Sequence, residues 1–430
     1  MKTKIEKLVF GGQALGRDEE TGKALFLWNA LPGEEVEFEV TKKKKGIVEG
    51  VATKILSASQ DRIEPKEDAY LSTSPWQMMT MEAEDRYKVE IGKETYSRGI
   101  SNEGAKDSFN ELDIVSDTEM AFGYRNKMEF SFYTKDINSP TQLCFFARGK
   151  HTKVPVDGSL LAEPVINEVA NEILEWLNRE EVNRVDLKSL IVRSNGKGEA
   201  IAALFVKKGV DVSEWQPLSD ALVGFHVYFS NPKSPASVPT ELLYSIGESS
   251  LVMDVKTTSL RFGLLSFFQV HVPVFSKAVE DIATYLDPKI DIVDFYSGVG
   301  SISLPLSKHY NQAVLVESND EATDFARQNI EDNHVDNAVA VLSTAEEATE
   351  YISTDKILIV DPPRAGLHKK VIERILFKKP KRVIYLSCNL STQSRDVDLL
   401  LDSYDIVFSR LYNFFPRTPH MEGLVILDRK

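Results

Sequence analysis

A chain of 430 residues with 42% hydrophobic side chains has apolar material for two or three cores, in a composition ordinary for soluble globular proteins. Its two cysteines, Cys144 and Cys388, are too few for a disulfide framework and point to a reducing compartment. The net charge of -14 does not announce a nucleic-acid binder, although binding answers to local patches rather than to totals. No apolar run reaches bilayer length, and Met1-Lys-Thr-Lys-Ile-Glu-Lys7 lacks the apolar stretch of a signal peptide. A cytoplasmic protein with no membrane partner is expected.

Residues 1–59 read as a small all-β module. Glu35-Val-Glu-Phe-Glu-Val40 alternates with the period of a half-buried strand, Lys42 to Gly46 reads as a turn, and Ile47 to Val51 can pair back. Gly11-Gly12 and Pro32-Gly33 mark further turns. Short strands so punctuated suggest a barrel of the kind that holds oligonucleotides, with a packing or dimer module as the alternative. Residues 60–255 are mixed α+β. Glu82 to Ile91 reads as helix and Asn126 to Phe132 as strand. Pro164 to Asn178 reads as an amphipathic helix with Val165, Val169, Ile173 and Trp176 on one face, and Asn231 to Pro239 as a turn-rich loop.

From residue 256 to 430 helix and strand patterns alternate. Strands are expected at Ile290–Phe295, Ala313–Glu317, Lys356–Val360 and Arg382–Leu386, with a helix after the first and another from Asn319 to Asn333. This is the pattern of a doubly wound, Rossmann-like α/β sheet. Asp405–Leu411 and Gly423–Asp428 add an antiparallel pair on one edge.

Chemistry gathers at the strand ends. In Asp294-Phe-Tyr-Ser-Gly-Val-Gly300, Gly298 and Gly300 follow a strand, where glycine lets a ligand approach the backbone. Glu317 ends the next strand, nineteen residues after Gly298, a spacing that suits a carboxylate on ribose hydroxyls. The third glycine of a dinucleotide loop is missing, so a nucleoside cofactor fits better. In Asp361-Pro-Pro-Arg364 the prolines stiffen a turn that aims Asp361 into the cleft. Cys388 closes another strand, and Glu422 lies in a late loop. A thiol and a carboxylate so placed can act as nucleophile and base, although a cysteine at the end of an apolar run can also be plain core. Two basic runs, Lys42–Lys45 and the segment Arg364–Arg382, are solvated surface or phosphate contacts.

Taken in order, Phe267-Phe-Gln-Val-His271, Asp294 to Gly300, Asp361 to Arg364, Ser387-Cys-Asn389 and Phe415-Pro-Arg-Thr-Pro-His-Met-Glu422 closely resemble the motifs of the RNA 5-methyluridine (uracil carbon-5) methyltransferases. Gly123-Tyr-Arg-Asn-Lys127 resembles that family's central-domain signature, and residues 1–59 resemble its TRAM domain, an RNA-binding barrel typical of the 23S rRNA enzymes and of some tRNA enzymes. The resemblance implies a class I methyltransferase domain at 256–430, S-adenosylmethionine as methyl donor, and RNA as partner, 23S rRNA first and tRNA second. The protein would act as a monomer. It also implies Cys388 as nucleophile toward carbon 6 of uracil and Glu422 as base, supported by His420. Gln269, Tyr296, Gly298, Gly300, Glu317 and Asp361 would contact the cofactor. Two other functions compete: a non-catalytic RNA-binding relative, and a methyltransferase acting on nitrogen. Retention of Cys388 and Glu422 argues against both.

The sequence departs from the family pattern twice. Many TRAM-bearing relatives hold an iron–sulfur cluster on four cysteines, three of which would fall between Pro65 and Trp76 and the fourth near Ser159. None of these positions is cysteine here, so neither a cluster nor any other metal is expected. His271 stands where the family usually has Asn.

Overall fold

A computed structural model describes every residue except Glu19, Ile137, His151, Ser213, Glu214, Gln216, Leu218 and Pro235. Contacts divide the chain into two compact units, Met1–Met81 with Glu119–Leu251, and Glu82–Thr118 with Val252–Lys430.

The first unit opens with a closed barrel of five strands, in the order Lys2–Leu8, Ala14–Arg17, Ala24–Trp28, Ile47–Ser57 and Glu35–Lys44. Val36 and Phe38 point inward beside Leu25, Leu27 and Ala52, while Glu35 and Glu39 face water. The last strand runs further than its alternation foretold. Lys44 still pairs with Ile47, so the turn is only Lys45-Gly46, with Gly46 at φ 80°. The Lys44 ammonium meets Glu49 at 2.7 Å, and all four lysines of the run are exposed.

A seven-stranded sheet follows, ordered Glu241–Gly247, Leu222–Phe229, Ala200–Val206, Leu187–Ser194, Lys127–Tyr133, Gln142–Phe146 and Lys153–Pro155. Helix Pro164–Arg179 buries Val165, Val169, Ile173 and Trp176, the face its periodicity marks, in a core shared with this sheet. Cys144 is buried within a strand, and Pro235 of the expected 231–239 loop lies outside the described residues.

Where the family resemblance would place three cluster cysteines and a fourth near Ser159, a carboxylate stands as the hub. Glu67 accepts the backbone N–H of Leu160 at 2.6 Å with one oxygen, and Gln77 Nε2 at 2.7 Å and Thr73 Oγ1 at 3.2 Å with the other. Trp76 is fully buried, its indole N–H donating to the carbonyl of Gly12 at 3.1 Å. Hydrogen bonds to a charged acceptor contribute about 1.5–3 kcal/mol each. Glu67→Ala is therefore expected to destabilise this unit by about 2–3 kcal/mol, read as a lowered thermal midpoint. An unchanged midpoint would contradict the hub.

In the second unit the main sheet runs Ala338–Leu342, Ala313–Glu317, Ile292–Phe295, Ile357–Val360, Arg382–Ser387, Glu422–Arg429, Tyr404–Tyr412 and Ile114–Val115. The first five are parallel and lie in chain order 3-2-1-4-5, the doubly wound arrangement, which puts their carboxyl ends along one edge. Glu422–Arg429 is antiparallel to both of its neighbours.

Three features differ from expectation. Strand Ala338–Leu342 was not anticipated, because Val-Ala-Val is too short to show a period. After the glycine turn comes only a 3-10 helix, Leu304–His309, with Pro305 near its start. Helix Met81–Gly99 and strand Ile114–Val115 belong to this unit and not, as the 60–255 boundary had it, to the central one. The helix buries Tyr87, Ile91 and Tyr96, and a Cβ on Gly92 would stand 2.8 Å from Leu411 Cδ1. Nothing local marks such a packing partner some three hundred residues away.

Candidate active site

Parallel strands that end in step deliver their next residues to one edge. Phe295 pairs with Val360, and Val360 with Tyr385. Tyr296, Asp361 and the turn at Cys388 therefore emerge side by side. The antiparallel ladder between Arg382–Ser387 and Glu422–Arg429 closes at Ser387 opposite Gly423. Cys388 and Glu422 are the residues that adjoin this last pair on either strand, near enough for the Glu422 charge to act on the thiol. The thiol is half-exposed and the carboxyl is buried.

The glycine loop is shaped for a ligand. Tyr296, Gly298 and Gly300 have φ of 63°, 56° and 87°. A Cβ on Gly298 would meet nothing within 4 Å, whereas on Gly300 it would strike Leu304 Cδ1 at 2.7 Å. Glu317 is bonded to the same loop. Its Oε2 accepts the N–H of Gly298 at 3.0 Å, and its Oε1 accepts those of Ser318 and Asn319 at 2.7 Å each. Ser318 Oγ donates to Oε1 as well, at 3.3 Å, so the remaining acceptor capacity for a hydroxyl lies on Oε2, which takes the Gly298 N–H. Buried Asp294 takes a short hydrogen bond from Ser303 Oγ on Oδ2, and its Oδ1 has no hydrogen-bond partner among the described residues. An open Cβ position, an anchored carboxylate and an orphan acceptor fit a nucleoside bearing hydroxyls and a cationic tail. Gln269 is buried just ahead of helix Val272–Ala283, whose N-cap is His271.

The turn carrying Cys388 and the Asp361–Arg364 loop are fastened together. Asn389 caps helix Leu390–Leu400 through its Oδ1, while its Nδ2 donates to the carbonyl of Arg364 at 2.8 Å. Thr392 Oγ1 donates to the same carbonyl at 3.2 Å. Asp396 Oδ2 accepts the Tyr385 hydroxyl at 2.9 Å and the Leu367 N–H at 2.8 Å. Of these supports, only Asn389 has a sequence signal, its place in Ser-Cys-Asn. Asp294 stands in a quoted motif, but reads there simply as strand.

Crowding of acids sets the electrostatics. Burial, then the charge of Asp294, lifts the Asp361 carboxyl to about 7. Burial lifts Asp294 to about 7 as well, against the hydrogen bond from Ser303 and with Glu317 adding to the rise. Burial, then Asp361, raises Glu422 well above the usual carboxylate range. Burial, then Glu422 and Asp361, push the Cys388 thiol up to about 11. Arg364 is the cation that opposes the rise at both Glu422 and Cys388. Burial takes Tyr296 to about 12.

A thiol and a carboxyl at the end of one ladder, in a sheet whose edge also carries a loop suited to a nucleoside, form an arrangement for covalent addition and proton removal. Residues 108–430 match the family model of the tRNA (Uracil-5-)-methyltransferases. The chain belongs to this family. It is an RNA (uracil-5-)-methyltransferase. An uncharacterized RNA methyltransferase of Fusobacterium nucleatum is 27% identical over 460 residues, covering 100% of this chain and 96% of the relative. One from Caldanaerobacter subterraneus is 28% identical over 446 residues, covering 97% and 95%. Among solved structures, the tRNA (uracil-54, C5)-methyltransferase of Pyrococcus abyssi, in complex with S-adenosyl-L-homocysteine, shares the fold with a TM-score of 0.79. That likeness covers 99% of this chain and 100% of the other, at 24% identity. No helix among the described residues of this methyltransferase is long and apolar enough to cross a membrane.

Proposed function

We propose that this methyltransferase moves the methyl group of S-adenosylmethionine to carbon 5 of a uridine in RNA, through a transient bond between Cys388 and carbon 6. The observation that carries this reading is that Cys388 and Glu422 adjoin the last ladder pair, Ser387 with Gly423, with the charges of Glu422 and Asp361 acting on the thiol. Carbon 5 of uracil is a poor nucleophile. Cys388, half-exposed, gives its thiol proton to solvent and adds as the thiolate to carbon 6, which turns the ring into an enolate whose carbon 5 can attack an electrophile. When bound, S-adenosylmethionine supplies the electrophilic methyl group. Glu422 then takes the proton from carbon 5, the carbon 5–carbon 6 double bond re-forms, the carbon–sulfur bond breaks, and Cys388 leaves as a thiolate. A carboxylate whose pKa is raised is a stronger base than an ordinary one.

In this reading Glu317 receives ribose hydroxyls, and Gln269, Tyr296, Gly298, Gly300 and Asp361 line the cofactor. A cationic donor suits a site in which burial, and then neighbouring carboxylates, raise Asp294, Asp361, Glu422 and the Cys388 thiol. A test follows from the sign of the shift. Asp361, lifted to about 7, is largely neutral at lower pH and ionised above it. Affinity for S-adenosylmethionine should therefore rise between about pH 6 and 8, and binding should release protons in that window. Asp361→Asn should flatten both trends in calorimetry across buffers of different ionisation enthalpy. A wild-type affinity that falls with pH would contradict this assignment.

The RNA partner is proposed as 23S rRNA, on the resemblance of the barrel to the TRAM domain, with Lys42, Lys43 and Lys45 available for phosphate. The second reading is tRNA. What keeps it open is that the fold of the Pyrococcus abyssi tRNA enzyme covers 99% of this chain, so that such a barrel is not peculiar to rRNA enzymes. Assay of both RNAs decides between them.

A further inference from the structure

Helix Met81–Gly99 lies ahead of residues 108–430, the part matched by the family model, yet it holds both ends of the segment that leads into Glu422. At the near end, Lys88 is fully buried. Its Nζ donates to Glu84 Oε1 at 2.7 Å, Asn413 Oδ1 at 2.6 Å and the carbonyl of Phe415 at 3.3 Å. The Glu84 carboxylate accepts Asn413 Nδ2 at 3.1 Å and the backbone N–H of Arg417 at 3.0 Å on each oxygen. At the far end, the Tyr96 hydroxyl donates to Gln393 Oε1 at 2.6 Å, which orients that amide. Gln393 Nε2 then donates to the carbonyls of Tyr385 at 2.8 Å and Gly423 at 2.9 Å. Tyr385 is on the strand that delivers Cys388, and Gly423 follows Glu422. The approach leaves no room for a side chain at 423, where a Cβ would sit 2.4 Å from the Tyr96 oxygen.

A fully buried lysine is costly to desolvate and persists only when its partners are held in place. Here those partners are one loop and one helix, so the pair locks the loop. Gln393 adds a side-chain link between two strands where their backbone ladder ends. Both devices bear on one geometric quantity, the reach of the Glu422 carboxyl past Cys388.

We propose that helix Met81–Gly99 is a brace that sets Glu422 against Cys388, with Tyr96 and Gln393 as positioning residues. The inference rests on the proposed roles of that thiol and carboxyl. It predicts which step suffers when the brace is loosened. Forming the sulfur–carbon bond and methylating the ring do not need Glu422, whereas removing the proton from carbon 5 does. A displaced Glu422 therefore leaves the methylated covalent adduct standing.

The test compares Tyr96→Phe, Gln393→Met and Glu422→Gln in the full-length protein with RNA and S-adenosylmethionine. Tyr96→Phe keeps the ring stacked on Phe109 at 4.1 Å and removes only the hydroxyl. The expected result is a kcat about tenfold lower, with KM for both substrates nearly unchanged. The steady-state fraction of denaturation-resistant RNA adduct should rise several-fold in both brace variants. Adduct in Glu422→Gln but no rise in either brace variant overturns this inference alone. A lower thermal midpoint and kcat with an unaltered adduct fraction does the same, since that is loss of support without mispositioning. No adduct in Glu422→Gln removes the base assignment and this inference with it.

Discussion

Cys388→Ala is expected to abolish methyl incorporation into RNA while S-adenosylmethionine binding, followed by calorimetry, stays close to wild type. The thiol stands at the end of its own strand, whereas the proposed cofactor contacts come from the Gly298 loop, Glu317 and Asp361. Removing a nucleophile on which a covalent route depends costs about 10⁴-fold or more in rate. Substituting one methylene-bearing thiol at a half-exposed position removes little packing, so the fold should survive. Wild-type turnover in this variant would refute the covalent route. Loss of turnover together with loss of cofactor binding would place Cys388 in the cofactor site instead.

Glu422→Gln separates the two halves of the reaction. The amide is nearly isosteric and avoids the cost of burying a charge, so the buried position tolerates it. It cannot accept the carbon 5 proton, and general-base catalysis is typically worth about 10²–10⁴-fold. Turnover should fall by that scale while a methylated RNA–protein adduct accumulates, visible as a denaturation-resistant gel band. The band should vanish when Cys388 is also replaced. A variant that binds both ligands and forms no adduct would show that Glu422 is not the base.

Much of the fold was legible because its signals are local. The alternation at Glu35–Val40 foretold which side chains enter the barrel, and the periodicity of Pro164–Asn178 foretold the buried face of its helix. The glycines at 298 and 300 were legible as a turn after a strand, and they follow strand Ile292–Phe295. What escaped is set by register or by distant contact. That Cys388 and Glu422 meet at one ladder end depends on the pairing of Ser387 with Gly423, and no motif encodes a ladder register. Gln393 sits mid-helix among residues of similar polarity, with nothing in its neighbours to mark it. Lys88 reads as one more charged residue on a helix until Asn413, 325 positions later, closes over it. The boundary drawn at residue 255 missed helix Met81–Gly99 for the same reason, since a chain that leaves a unit and returns to it carries no compositional mark.

A methyl group placed on carbon 5 of uridine is read most directly in the product itself. Unmodified 23S rRNA and tRNA transcripts would be incubated separately with the protein and S-adenosylmethionine labelled in its methyl group, digested to nucleosides, and resolved by mass spectrometry. The account predicts label in 5-methyluridine from one of the two RNAs, absent with Cys388→Ala. Label in any other nucleoside, or 5-methyluridine formed equally well without the thiol, would contradict it.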